Sequence, residues 1–185
     1  MILWDYELRR ANASARLNSL SAPRMLSFST AALAHAIHAR LSGVDAGVGR
    51  IVSTTLDLAW ARIAGAERTD VEPLLTDLRR LMPEEDAPGA PGVADSLDGA
   101  ARLCSLADLP TAKGALTIAS YAYQALTCWV LDPSSTMGAE ERFVEAERAS
   151  AECLAEIAFQ LAYLAALERL DVSVAPSWDC VIALL

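Results

Sequence analysis

The sequence predicts an all-α protein, a compact bundle of about seven helices around a buried central helix near residues 111–131. Three observations predict it. About a third of the 185 residues are Ala or Leu, which lose little freedom in a helix. Apolar residues recur at steps of three and four nearly everywhere, and no run alternates over the length of a strand. The stretch between Lys113 and Asp132 carries no charge at all, and a helix apolar on all sides belongs at the centre of a bundle.

The elements follow in order. Trp4, Leu8, Ala11, Ala15 and Leu17–Leu20 mark a first helix of about four turns. Ser21-Ala22-Pro23 caps a second, whose Met25, Phe28, Ala32, Leu33, Ala36 and Ile37 share a face until Ser42-Gly43. Asp45 caps a third, carrying Ile51, Val52, Thr55, Leu58, Ala59 and Ile63 and closed by Gly65. Asp70 with Pro73 opens a short fourth through Leu74, Leu75, Leu78 and Leu81. Residues 83–92 hold three prolines and two glycines with an acidic run, which reads as a flexible surface loop inside one domain. Val93, Leu97, Ala101, Leu103, Cys104 and Leu106 form the fifth helix, and Leu109-Pro110 ends it. Thr111 caps the charge-free sixth. After a turn at Asp132–Thr136, Glu140 and Glu141 sit where a helix dipole favours acids, opening a long last helix to about Leu170. The segment to Leu185 includes Trp178 and an apolar end that reads as docked on the bundle or on a second subunit.

A chain of this length reads as one domain, residues 1–185, and buries roughly 70% of its unfolded surface without a disulfide or metal staple. Fifteen Lys and Arg against 24 Asp and Glu give a net charge of −9, which argues against nucleic acid and anionic membranes as partners. The opening Met1–Glu7 places acids where a secretory signal carries bases. The charge-free run contains Gln124 and lacks basic flanks, so a core helix is preferred to a membrane span and a cytoplasmic location is expected.

Residues that could carry chemistry are few. Cys104, Cys128, Cys153 and Cys180 are scattered among apolar neighbours and read as small hydrophobes. His35 and His38 stand three apart on one helix, which suits two ligands of one metal, but no third ligand lies nearby; they are weak metal or small-molecule candidates. No nucleophile elbow or phosphate loop is present, and neither enzyme activity nor a cofactor is expected. Asp57 and Trp60, three apart, and Asp98 read as buried polar groups that fix helix register. Leu154, Ile157, Leu161 and Leu164 form a seam for another helix, and with Trp178 they are the interface candidates.

An ordered set of motifs resembles the YjaG-like family, the bacterial domain of unknown function numbered 416. Arg16-Leu17 through Met25–Phe28 resembles its opening helix pair. Leu56-Asp57-Leu58-Ala59-Trp60 resembles its Leu-Asp-x-x-Trp stretch, Leu81-Met82-Pro83 its Ile-Pro turn, and Leu97-Asp98-Gly99-Ala100 its Ile-Asp-Ala segment. The chain departs at Ala34-His35-Ala36, where the family tends to Glu-Arg, and around Cys153, where it has an acid-flanked Trp. The resemblance implies a compact all-α fold and brings no activity or site residues with it.

The reading that follows is a non-catalytic helical domain acting through protein contact and self-associating as a dimer. Its alternatives are an acidic, immunity-type antagonist of a basic toxin or other basic protein partner, and a metal or small-molecule site near His35 and His38.

Overall fold

The computed structural model describes residues 2–41, 46–84, 90–131, 140–171 and 173–183, the side chains of 38, 39, 41, 90, 91 and 140 excepted. Among them are ten helices and no strand: α1 (Leu3–Arg10), α2 (Ala13–Asn18), α3 (Ala22–Leu41), α4 (Ala46–Ile63), α5 (Glu72–Leu81), α6 (Ala90–Asp108), α7 (Ala112–Val130), α8 (Glu140–Ala149), α9 (Ala151–Arg169) and α10 (Trp178–Ile182). The all-α expectation holds, with more helices than expected because two long ones are broken and a short one forms at Trp178–Ile182.

The first break is at Asn12, whose φ of 53° is left-handed. Asn tolerates that region better than most residues, and the turn sets α2 at an angle to α1. The second is at Ser150. Its hydroxyl accepts the Cys153 N–H, starting a new helix rather than continuing the old one, and the chain bends by 82° there. The 83–92 loop is also shorter than expected. Pro91 and Gly92 lie in the first turn of α6, where a proline costs nothing by lacking an N–H, because a helix start offers that group no partner. Residues 85–89, like Ser42–Asp45 and Asp132–Thr136, fall outside the described residues.

The core centres on α7, which packs chiefly on α6 and α3, with α9 closing over α3 and α7. Alanines at 112, 115, 119, 122 and 125 let these neighbours come close, and Ile118, Tyr123 and Leu126 fill the remaining space. Burying each large apolar side chain, as for Phe28, Leu33, Leu97 and Leu164, contributes about 1.5–3 kcal/mol. Two glycines on α6 record how tight the packing is. A Cβ at Gly99 would stand 2.9 Å from Leu33 Cδ1, and one at Gly92 would overlap the Trp129 indole.

The central helix is the expected one, and α7 is covered over most but not all of its circumference. Lys113, Leu116, Thr117, Ser120, Tyr121 and Gln124 share a face that is left partly open. None of the described helices is long and apolar enough on its own to cross a membrane.

Candidate functional site: a cleft and a buried polar relay

The open face of α7 meets α1 and α2 around a cleft of about 620 Å³. The spacing of the α7 residues puts Lys113 at one end and Gln124 at the other, with the Gln124 amide donating to Ser120 Oγ at 3.0 Å. From the other side come Trp4, Asp5, Leu8 and Arg9 of α1, and Asn12, Ala13 and Ser14 beyond the left-handed turn.

Trp4 forms one wall and is only 5% exposed. Its indole N–H donates to Gln160 Oε1 at 2.8 Å, inside the protein. The Gln160 amide nitrogen donates in turn to Glu156 Oε1 at 2.8 Å and, more weakly, to the Ala119 carbonyl at 3.4 Å. The other carboxyl oxygen of Glu156 stands 2.6 Å from His35 Nδ1. A relay of side chains thus runs from the cleft wall, through two residues no more than 2% exposed, to the exposed His35 on α3. A buried carboxyl is tolerable only with polar partners on its oxygens, and Glu156 has the Gln160 amide on one and the His35 ring nitrogen on the other.

His35 lies flat on Phe159, with ring centroids 3.7 Å apart and planes 8° apart. Phe159 continues into an aromatic cluster with Tyr163 and Trp178, and Trp60 meets the Trp178 edge at 76°. Tyr163 is held by Ser27, whose hydroxyl also donates to the Pro176 carbonyl. Burial pushes the Tyr163 phenol up to about 12, so it stays protonated and available as a donor.

A second buried carboxyl belongs to Glu147 of α8. One oxygen accepts the Leu3 N–H at 2.8 Å and ties α1 to α8; the other, like the Tyr123 hydroxyl, is buried without a hydrogen-bond partner among the described residues. Burial raises the pKa of both groups. It also raises the thiols of Cys104 and Cys153, which makes them poor nucleophiles.

Several expected site residues fall elsewhere. His35 is paired with Glu156 and stacked on Phe159, and no group of three or more potential metal ligands occurs among the described residues. The side chain of His38 lies outside them. Asp57 is exposed and Asp98 half-buried with no side-chain hydrogen bond among the described residues, so neither fixes register from inside the core; the buried carboxyls that tie helices together are Glu147 and Glu156. Trp60 and Trp178 meet in the aromatic cluster, where Trp178 packs within its own chain. The expected seam is split: Ile157 and Leu164 are buried in the core, Leu161 is half-buried and Leu154 is 46% exposed. Cys128 and Cys180 are exposed rather than buried.

Sequence reasoning missed Glu156 and Gln160. The available signal was a polar pair four apart within an otherwise apolar helical stretch. Comparisons with protein-family models, with curated proteins and with solved structures find no match for this chain.

Proposed function

We propose that this chain is a non-catalytic helical domain that acts through protein contact and pairs with a second copy of itself through the outer face of α9. One observation carries the reading. Leu154, Ala155, Ala158, Leu161, Ala162 and Ala165 are exposed or half-buried, and no charge interrupts them. At 100° per residue they span about 120° of the helix, directed away from the core. A stripe this rich in alanine lets two helix axes approach to the short end of the 8–10 Å packing range. It is also the same on both copies, as a two-fold interface requires.

Kinship with the YjaG-like family belongs to the same proposal, supported by the ordered motifs from Arg16 to Asp98. So does a cytoplasmic location, which suits four cysteines that are all free thiols. Sedimentation equilibrium tests the core of the reading. The expected result is a dimer at tens of micromolar, converted to monomer by Leu154→Glu with Ala158→Glu while the circular dichroism spectrum is kept. A wild-type chain that stays monomeric to about 1 mM, or a dimer indifferent to both substitutions, overturns it.

A further inference from the structure

The cleft between α1, α2 and α7 lies apart from the outer face of α9 and plays no part in self-association. We propose that it is a binding site for a small organic anion with a flat apolar body. Its volume of about 620 Å³ is that of a small-molecule pocket.

Charge sets the sign of the ligand. The charged side chains lining the cleft are Arg9, Lys113 and Asp5, a balance of +1 in a chain of −9. Lys113 is the only lysine in the sequence. Neither its ammonium nor the Arg9 guanidinium makes an ion pair or side-chain hydrogen bond among the described residues, so both remain available to a ligand. A third cation stands behind the wall, where Arg102 lies 5.1 Å from the centroid of the Tyr121 ring. In a strongly acidic molecule such a patch draws anions toward one place and lets cations accumulate elsewhere.

The apolar part follows from the other walls. Half-buried Leu116 and Tyr121 supply most of the open apolar wall, with the edges of the buried Leu8 and of Trp4, which its hydrogen bond to Gln160 fixes in advance. A wall that does not have to be ordered on binding adds affinity. Asn12, Ser14, Ser120 and Gln124 give polar contacts for substituents on the ring. Inorganic phosphate alone would meet the cations and leave the apolar walls unused.

Anilinonaphthalene sulfonate has both features and brightens in an apolar site, so it serves as the probe. The expected result is one saturable site, weakened at least about tenfold by Arg9→Glu with Lys113→Glu, since reversing two nearby charges turns attraction into repulsion. Arg50→Glu, an exposed cation on α4, should leave binding unchanged, and so should Leu154→Glu on α9. Ser120→Trp, which fills the cleft, should abolish the fluorescence gain. Circular dichroism and thermal melts confirm that each variant folds. Absence of saturable binding overturns the proposal, as does binding that survives the double reversal or falls instead with Leu154→Glu. The last outcome would place the probe on α9 and leave the self-association reading standing.

Discussion

Gln160 is the link on which the buried relay depends, and replacing it by Met tests whether that relay holds the fold. Met has nearly the same length and shape but offers neither amide group. Trp4 Nε1–H then loses its acceptor while remaining 5% exposed, and Glu156 loses one of its two donors while remaining 2% exposed. The unpaired indole costs about 1–2 kcal/mol, and the lost charge-assisted bond about 1.5–3 kcal/mol. Added apolar burial of the thioether returns about 1 kcal/mol. The net expectation is destabilisation by about 3 kcal/mol.

Urea unfolding at pH 7 reads this directly. With a slope near 2 kcal/mol/M, the midpoint should fall by about 1.5 M with the slope unchanged. A double-mutant cycle sharpens it. Once Glu156→Leu has removed the carboxylate, Gln160→Met no longer strands a charge, so the two losses should sum to about 1–2 kcal/mol more than the double variant shows. A loss under 1 kcal/mol for Gln160→Met, or strict additivity in the cycle, would mean that water or a neighbouring group satisfies these atoms and that the relay is incidental.

Four further outcomes are expected. Burial holds the folded-state pKa of Glu147 above its unfolded value, so its contribution is full below the unfolded pKa and lost as pH rises through the folded one; Glu147→Gln should therefore stabilise the protein by about 1 kcal/mol at neutral pH and not in acid, read as the pH dependence of urea midpoints. The opposite sign holds for Glu168, whose hydrogen bond and charge contact with Arg16 lower its pKa: Arg16→Ala should cost about 0.5–1 kcal/mol at neutral pH, and the difference should vanish as pH falls through the lowered value. Gly92→Ala places a methyl into the Trp129 indole and should cost about 1–3 kcal/mol despite alanine's better helix propensity, with a changed tryptophan fluorescence spectrum as the second readout. Leu154→Glu should leave the unfolding free energy of the dilute monomer, read from urea melts, within about 0.5 kcal/mol of wild type, because this exposed side chain makes little use of the core.

Helix spacing made most of the architecture legible. The faces of α3, α4 and α6 bury Phe28, Leu33, Ile37, Val52, Ala59, Leu97, Leu103 and Cys104, as their three-to-four periodicity requires. The breaks were less legible because they depend on single residues with ordinary helical neighbours. Asn12 and Ser150 each sit between good helix formers, and only the left-handed turn at one and the new cap at the other end the helix. The cleft was hidden for a different reason. Leu116, Thr117, Ser120, Tyr121 and Gln124 carry no charge, so α7 reads as apolar throughout although this face is left open. The His35–His38 spacing pointed to metal chemistry, whereas His35 meets a carboxylate 121 positions away that no local spacing could reveal.

The hardest element to read, α9, also gives the self-association proposal its physical basis. In an ordinary surface helix the polar residues face water and the apolar ones face the core. Here the core side holds Glu156 and Gln160 beside Ile157 and Leu164, while Leu154, Ala155, Ala158 and Ala162 face outward. The hydrophobic seam expected from Leu154, Ile157, Leu161 and Leu164 was therefore divided between two faces because the helix is apolar on both. The inward polar pair is kept by the specific partners Trp4 and His35, which fix the rotation of α9 about its axis. Rotating the helix to bury the outer stripe would pull Glu156 and Gln160 away from those partners. The relay that locks α9 in place thus keeps its alanine face turned outward, and that is the surface the proposed pairing with a second copy uses.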